Sequence, residues 1–388
     1  MIVRKQYLDR ISPFIDKDIV KVITGVRRSG KSVFLRQLMD QIESSKTIYF
    51  NFEKTQNESF WTNSRKLDET IQEFIRRDDE KTYIFLDEVQ LVQGWEIVVN
   101  SLRASFDVDI YITGSNAQLL SGELATYLAG RYVSIEIYPF SYKEFLENSP
   151  GASFEDYLTV GGMPMASDFL DSPEARKNLL EDIYDSVLLR DVISRNKIRD
   201  TDLLNRLLIY IFSEVGHVFS ANSLSKYFKS EGRKVSTDTI LNYLHACEQA
   251  YLMSRVTYQD ALRKKILNVN DKVYVIDHGI REALLESNIA DIERVLENIV
   301  YYELLRRGYK VTIGRNGEKE IDFIAQKAGY VEYFQVSYLL QSAETREREF
   351  GAYRGIDDNF PKFVLSMDAL NFSQRGIVHE NIEKWLLE

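Results

Sequence analysis

A glycine-bracketed segment near the start of the chain joins a β-branched stretch to an amphipathic one. Residues 25–32 read Gly-Val-Arg-Arg-Ser-Gly-Lys-Ser, which fits the G-x-x-x-x-G-K-[ST] phosphate-loop pattern. Residues 19–24 predict a buried strand before it, and apolar residues at helical spacing up to Ile42 predict a helix after it. A glycine-rich turn that only caps a helix is the alternative. Because strand, loop and helix all agree, we interpret the segment as a nucleotide site in an α/β fold.

The loop also predicts how a nucleotide would be held. Its backbone N–H groups and the positive end of the helix dipole are expected to bind the β-phosphate. Lys31 adds a charge at the β- and γ-phosphates, and the Ser32 hydroxyl is placed for Mg²⁺. The predicted nucleotide-binding residues are Gly25, Val26, Arg27, Arg28, Ser29, Gly30, Lys31, Ser32 and Val33. Arg27 and Arg28 either point at the nucleotide or contact a partner domain; spacing does not decide.

An acidic pair follows the next strongly apolar stretch. Residues 83–86 predict a strand, and Asp87 and Glu88 stand at its C-terminal end, where open α/β sheets place their chemistry. We expect Asp87 to hold Mg²⁺ and Glu88 to orient and polarise the attacking water. A strand that merely ends in solvated acidic residues is the alternative, which the preceding phosphate loop disfavours.

Three more strands are predicted at residues 47–52, 109–113 and 132–137, with helical segments between them, as a parallel sheet requires. Ser115 and Asn116 follow the fourth strand, and either could sense the γ-phosphate; a hydrogen-bonded turn is the alternative. Arg131 precedes the fifth strand. It is either an arginine finger, in its own subunit or a neighbour's, or a surface arginine paired with a carboxylate.

These motifs resemble a group of prokaryotic AAA-type P-loop ATPases that carry a large C-terminal region of unknown function. The resemblance covers essentially the whole chain. It is carried by residues 25–32, 85–90, 113–116, 128–132, 138–145, 161–164 and 273–279. It implies ATP and Mg²⁺ as ligands and an AAA-type P-loop ATPase domain over residues 1–150.

Composition limits the other partners. The chain has 44% apolar and 28% charged residues, no apolar run of membrane-spanning length and one cysteine, so we expect a cytoplasmic protein with no membrane partner. The net charge of −10 would repel nucleic acid, so any DNA contact requires a local basic patch.

Residues 151–200 predict a helical linker, and residues 201–285 predict three helices followed by a β-hairpin. That order is typical of a winged helix, which the resemblance also implies. Ser220 and Ser236 are the expected N-caps of the second and third helices. The local basic patch would consist of Arg233, Lys234, Arg263, Lys264 and Lys265. DNA contact and packing against protein are equally compatible with this pattern.

Residues 286–388 resemble a PD-(D/E)xK nuclease, with Glu297 in a helix and Asp322 before a third strand. In active members that strand carries Glu-x-Lys, but the matching residues here are Gln335 and Ser337. A neutral amide is a poor ligand for a hard cation, and a hydroxyl supplies no positive charge. We therefore expect no nuclease activity, although Glu297 or Glu320 could assist Asp322. A displaced catalytic lysine at Lys319 or Lys327 is the alternative, but it would not restore the metal site alone.

The combined prediction is ATP hydrolysis that rearranges the winged-helix and nuclease-like domains, acting on or near DNA. The main alternative is a nucleotide-dependent protein-docking switch with slow turnover and no DNA role. An active nuclease is a third hypothesis. The chain could act as a homo-oligomer, and the sequence does not decide this.

Overall fold

The computed structural model describes residues 2–42, 46–75, 80–120, 128, 130–285 and 291–388. They form two compact units, one of residues 1–139 with 249–251 and one of residues 140–248 with 252–388. Residue 129 in the fourth motif and residues 286–290 at the predicted start of the nuclease-like domain lie outside the described part. Within that part, no helix is both long and apolar enough to cross a bilayer.

The first unit is built on a parallel sheet flanked by helices. Its strands are β1 (Val20–Thr24), β2 (Thr47–Asn51), β3 (Thr82–Asp87), β4 (Val108–Thr113) and β5 (Tyr132–Glu136). Its helices are α1 (Lys5–Ile11), α2 (Lys31–Ile42), α3 (Ser64–Ile75) and α4 (Trp95–Ser105). Every residue of β1 and β4 is buried, as expected where helices cover both faces of a parallel sheet. The predicted α/β sheet is confirmed.

The strand order in this sheet is β2-β3-β4-β1-β5. Strand β4 therefore separates β1 from β3, with Ile23 opposite Thr113 and Leu86 opposite Ile112. Because all five strands run in the same direction, their C-terminal ends meet at one edge. The end of β4 consequently lies between the phosphate loop and the acidic pair.

The second unit combines many helices with a mixed sheet. Its helices are α5 (Tyr142–Asn148), α6 (Phe154–Val160), α7 (Pro173–Val187), α8 (Thr201–Ser213), α9 (Ala221–Ser230), α10 (Thr237–Gln249), α11 (His278–Leu285), α12 (Ile292–Arg306), α13 (Ala343–Gly351) and α14 (Ile382–Leu387). Its strands are β6 (Val218–Phe219), β7 (Met253–Asp260), β8 (Lys265–Val275), β9 (Lys310–Asn316), β10 (Lys319–Lys327), β11 (Tyr330–Val336), β12 (Lys362–Ser366) and β13 (Val378–Asn381).

All eight strands form one sheet in the order β13-β12-β11-β10-β9-β7-β8-β6. The β7–β8 hairpin joins the C-terminal strands through parallel pairing of β7 with β9, where Tyr258 lies opposite Ile313. One sheet therefore contains strands from the predicted winged-helix region and from the predicted nuclease-like region. The first compact unit ends at Pro139, apart from residues 249–251.

Two predicted helix starts are confirmed in this unit. The Ser220 hydroxyl accepts a hydrogen bond from the Ser223 N–H at 3.3 Å, and the Ser236 hydroxyl accepts one from the Thr239 N–H at 3.1 Å. These caps satisfy N–H groups that the first helical turn leaves without an internal partner.

Two C-terminal family motifs meet in space. The Asp277 carboxylate accepts hydrogen bonds from the N–H groups of Gly162 at 2.7 Å and Ile280 at 3.0 Å. A Cβ on Gly161 would lie 2.5 Å from Asp277 Oδ1 and 2.6 Å from the Gly279 nitrogen. These glycines thus serve close packing between α6 and α11, which gives the motifs a structural role.

Candidate functional site

The phosphate loop connects β1 to α2 in a conformation that its glycines permit. Gly25 has φ +136°, and a Cβ there would stand 2.2 Å from the Ile137 carbonyl oxygen. Gly30 has φ +100°, and α2 begins at Lys31 directly after it. The loop is therefore shaped by the backbone, with a helix N-terminus at its end.

Lys31 is held at the centre of this site. Its ammonium donates to the Val26 carbonyl at 3.0 Å and lies 3.7 Å from Glu88 Oε1. Its side chain is 3% exposed, so the charge is confined to the loop and the acidic pair. The structure thus brings together two side chains that 57 residues of sequence separate, from Lys31 to Glu88.

Ser32 and Asp87 form an oxygen pair. Ser32 Oγ donates to Asp87 Oδ1 at 3.1 Å, and Asp87 is fully buried. A hydroxyl and a carboxylate are oxygen donors of the kind that Mg²⁺ prefers. The pairing of β3 and β4, with β4 next to β1, sets this distance.

Besides Ser32, three further hydroxyl or amide groups hold the Asp87 carboxylate. Thr113 Oγ1 donates to Oδ1 at 2.6 Å, while Tyr49 Oη at 2.9 Å and Asn51 Nδ2 at 2.8 Å donate to Oδ2. Burial and the neighbouring Asp87 carboxylate raise the pKa of Tyr49, so the phenol stays protonated as a donor. The carboxylate is therefore fixed in orientation before any ligand arrives.

Glu88 sits in an unusual backbone conformation. Its φ is +57°, in the left-handed region, which strains a residue other than glycine. Its N–H donates to Thr113 Oγ1 at 2.9 Å, and the Gln90 side-chain amide donates to its carboxylate. Glu88 is 6% exposed. These contacts fix the carboxylate beside Lys31.

The remaining predicted residues lie in different positions. Ser115 and Asn116 are buried directly after β4, the strand next to β3, and the structure does not distinguish them as sensors. Arg27 pairs with Glu53 at 2.8 Å, and Arg28 is exposed with φ +66°. Val33 is half-buried in the first turn of α2.

Arg131 is exposed at the opposite end of the sheet from the phosphate loop. Its carbonyl accepts from the Val20 N–H at 3.0 Å, at the start of β1, whereas the loop follows the end of β1. Five residues of strand separate the two ends, roughly 16 Å. This is too far for its side chain to reach its own chain's loop, which corrects the expectation that it could act within its own subunit.

Sequence reasoning missed five supporting residues. Thr113, Tyr49 and Asn51 could have been inferred from their places at or near strand ends, since such positions cluster at one sheet edge. The missed residues are Arg4, Tyr49, Asn51, Gln90 and Thr113.

Arg4 had no signal in the sequence. Its guanidinium donates to the carbonyls of Ser29 at 3.2 Å and Tyr138 at 3.0 Å, and it is 3% exposed. It also lies over the Tyr7 ring, 4.7 Å from the centroid. Arg4 therefore ties the N-terminal segment to the back of the phosphate loop.

The nuclease-like positions carry no metal-binding arrangement among the described residues. Asp322 is buried, its Oδ2 accepts from the Val336 N–H at 2.8 Å, and Gln335 Oε1 accepts from the Asp322 N–H at 3.3 Å. Lys319 donates to the Gly351 carbonyl at 2.9 Å and Lys327 to the Arg307 carbonyl at 2.6 Å. No contact of either lysine with Asp322 is found in the part of the chain that the structure describes.

The basic residues of the predicted patch are partly engaged within the chain. The Arg233 guanidinium pairs with the Asp202 carboxylate and lies 3.8 Å from Asp200 Oδ1. Lys264 lies over the Phe360 ring, 5.1 Å from the centroid. Lys234, Arg263 and Lys265 are exposed.

The first unit is an AAA-type P-loop domain by its sheet and phosphate loop, and residues 17–146 match the family model described as "AAA domain". Residues 151–291 match a "Domain of unknown function (DUF8612)". An uncharacterized Haemophilus influenzae protein is 39% identical over 100% of this chain and 99% of its own length. An uncharacterized Methanocaldococcus jannaschii protein is 31% identical over 94% of this chain and 83% of its own. The chain belongs to the same family as these two proteins.

Similarity to solved structures is distant. The Aeropyrum pernix ORC1 protein in complex with DNA shares 14% identity and a TM-score of 0.34, over 74% of this chain and 93% of that one. The Drosophila ORC bound to AT-rich DNA and Cdc6 shares 12% identity and a TM-score of 0.27, over 73% of this chain and 90% of that one. Scores this low carry no conclusion about function.

Proposed function

We propose that this protein binds and hydrolyses ATP with Mg²⁺ at the phosphate loop. The observation that carries the proposal is the contact of Ser32 Oγ with Asp87 Oδ1 at 3.1 Å, beside Lys31 at 3.7 Å from Glu88. The Ser32 and Asp87 oxygens suit Mg²⁺. The Lys31 ammonium beside the Glu88 carboxylate suits phosphoryl transfer to water.

Each residue has a distinct part in this mechanism. The loop N–H groups and the Lys31 ammonium bind the phosphates and neutralise their charge. Ser32 and Asp87 would hold Mg²⁺, which supplies charge neutralisation at the phosphate oxygens. Glu88 accepts a hydrogen bond from the attacking water and orients it, and Ser115 or Asn116 contacts the γ-phosphate. Thr113 keeps Asp87 and Glu88 in register with each other.

The test is phosphate release from ATP by full-length protein. Lys31→Ala and Glu88→Gln are expected to abolish turnover, while Glu88→Gln retains ATP binding because the loop is intact. Glu73→Gln is the matched control, since Glu73 is an exposed carboxylate on α3. Turnover that survives in Lys31→Ala and Glu88→Gln would remove the assignment.

For the second unit we propose a winged-helix region joined to a nuclease-like region without nuclease activity. Helices α8, α9 and α10 with strands β6, β7 and β8 support the first, and the order α12-β9-β10-β11-α13-β12 supports the second. ATP binding and release would rearrange this unit relative to its partners.

The second unit would then either bind DNA or dock to another protein. Docking is favoured by the pairing of Arg233 with Asp202 and by the position of Lys264 over Phe360, because engaged cations attract phosphate less. The test is titration of duplex and single-stranded DNA at two salt concentrations, with and without ATP. Salt-dependent binding in either state supports the DNA role, and its absence in both supports the docking switch.

A further inference from the structure

A buried lysine stands among three carboxylates in the second unit. Lys272 of β8 lies 2.9 Å from Glu297 Oε1 of α12, 2.6 Å from Glu320 Oε1 and 3.9 Å from Asp322 Oδ1 of β10. Its side chain is 5% exposed, and those of Glu297 and Asp322 are 12% and 10% exposed. We call these four residues the Lys272 cluster.

Hydrogen-bond donors hold the same carboxylates from other sides. Tyr274 Oη donates to Glu297 Oε1 at 2.5 Å, and Tyr258 Oη donates to Glu320 Oε2 at 2.6 Å. Asp322 Oδ2 accepts from the Val336 N–H. The carboxylates are thus directed inward toward the ammonium by both strands of the hairpin and by β11.

Electrostatics keep the lysine charged in this place. Burial alone would lower the pKa of Lys272. The carboxylates of Glu297, Asp322 and Glu320 outweigh this effect and raise the pKa above its ordinary value. Burial and the Glu297 charge raise the pKa of Asp322, while Lys272 opposes this rise. The distances of 2.9 Å to Glu297 and 2.6 Å to Glu320 identify the ammonium as the cation of the cluster.

The sequence resemblance places a metal ligand at Asp322, with Glu297 or Glu320 as the residues that could assist it. Neither lysine considered from the sequence reaches them, whereas Lys272 comes from a strand that precedes α12 in the chain. The Lys272 ammonium already occupies one oxygen of Glu297 and one of Glu320, so a divalent cation on the same oxygens would lie directly beside a positive charge in a poorly solvated space, where like charges repel strongly.

We propose that Lys272 is the built-in cation of this carboxylate site, occupying it in place of a divalent metal and fastening the β7–β8 hairpin to α12 and β10. The site is closed to catalysis by the chain itself. The proposed absence of nuclease activity would then have two causes, which are the presence of Lys272 in the carboxylate site and the replacement of Glu-x-Lys by Gln335 and Ser337. This proposal rests on the nuclease-like region proposed above and does not depend on ATP hydrolysis in the first unit.

The test measures Mn²⁺ binding by electron paramagnetic resonance on full-length, nucleotide-free protein. All variants carry Asp87→Asn, so that the phosphate loop contributes no metal signal. The Lys272-containing protein is expected to bind no Mn²⁺ in the second unit. Lys272→Ala removes the ammonium and opens the space, so we expect it to bind one Mn²⁺ and to gain thermal stability when Mn²⁺ is added.

Two control variants test whether the charge of Lys272, and not its packing alone, keeps Mn²⁺ out of the site. Lys272→Met fills the space with an uncharged chain and is expected to bind no Mn²⁺. Adding Asp322→Asn to Lys272→Ala should abolish the gained site. Folded Lys272→Ala without Mn²⁺ binding would overturn the proposal. The proposal would also be overturned if protein that retains Lys272 binds Mn²⁺ or cleaves DNA with Mn²⁺, and Asp322→Asn abolishes that binding or cleavage. This comparison of Lys272-containing protein with and without Asp322→Asn stays decisive even if Lys272→Ala does not fold.

Discussion

The Thr113 hydroxyl donates to the Asp87 carboxylate at 2.6 Å and accepts from the Glu88 N–H at 2.9 Å. One side chain on β4 thereby positions both acidic residues at the end of β3. It links the residue assigned to Mg²⁺ with the residue assigned to the attacking water. Thr113 is thus a positioning residue, and its effect should appear in turnover more than in nucleotide affinity.

Thr113→Val is the direct test of this link, because valine keeps the shape and removes the hydroxyl. We expect kcat for ATP hydrolysis to fall about 10–100-fold, as for other residues that orient metal ligands, with a smaller change in ATP affinity. Thr113→Ser retains the hydroxyl and is expected to restore most of the activity. Equal losses in Thr113→Ser and Thr113→Val would indicate packing as the cause.

Arg4 should act on nucleotide binding. Arg4→Ala removes charged hydrogen bonds to the Ser29 and Tyr138 carbonyls, so the loop loses a support and KM for ATP should rise about tenfold. Lys5→Ala, at an exposed neighbouring cation, is the control and should leave KM unchanged. Steady-state kinetics with both variants separate a local effect from a general loss of charge.

Gly25→Ala should damage the phosphate loop by a steric clash as well as by the strain of its backbone angle. Its new Cβ would lie 2.2 Å from the Ile137 carbonyl oxygen, so the strand end has to move. Gly94→Ala is the control, because Gly94 also has positive φ but its nearest neighbour is the Ser64 hydroxyl at 3.3 Å. We expect Gly25→Ala to lower the free energy of unfolding by about 1–3 kcal/mol more than Gly94→Ala. Thermal and denaturant unfolding would measure the stability of both variants, and ATP titration would measure the damage to the phosphate loop. Equal losses of stability in Gly25→Ala and Gly94→Ala would contradict the steric explanation.

Glu136 gives the first unit a pH-dependent stability. Burial raises the pKa of Glu136 to about 7, although a Tyr138 hydrogen bond and the Arg10 charge oppose the rise. The folded protein therefore holds this proton at pH values where the unfolded chain, with an ordinary pKa of 4.5, has released it. The associated stability is complete below pH 4.5 and is lost as the pH rises through about 7.

Glu136→Gln should remove this loss, because the amide is neutral at every pH. Above pH 7 the variant should be more stable than wild type by up to about 3 kcal/mol, and the difference should vanish toward pH 4.5. Denaturant titrations between pH 4.5 and 8 provide the measurement. A constant difference across that range would show that ionisation of Glu136 is not involved.

If Arg131 serves as an arginine finger, it acts between chains, since it lies at the opposite end of its own sheet from the phosphate loop. Arg131→Ala is expected to lower kcat about 10³-fold at concentrations where chains assemble. Mixing it with Lys31→Ala should restore turnover, because one chain supplies the loop and the other supplies the arginine. If the mixture stays inactive while wild type hydrolyses ATP, the arrangement between chains is wrong.

The phosphate loop, the acidic pair and the α/β character of the first unit are all predictable from the sequence alone. Residues 25–32 are contiguous, and Asp87 and Glu88 follow one strand, so their chemistry is readable from local order. The sequence also identified Gln335 and Ser337 as departures from a nuclease pattern. These conclusions depend on residue type and spacing along the chain.

Which distant residues meet depends on the tertiary structure. The placement of β4 between β1 and β3 brings Thr113 to Asp87, and strand order is not encoded in any single segment. The parallel pairing of β5 with β1 places Arg131 at the end of the sheet opposite the phosphate loop. The same holds for Arg4 beneath the phosphate loop, for Lys272 among the carboxylates of α12 and β10, and for the sheet that joins the hairpin to the C-terminal strands. The physical reason is that these contacts are made across the fold, where burial and strand pairing select partners that sequence separation conceals.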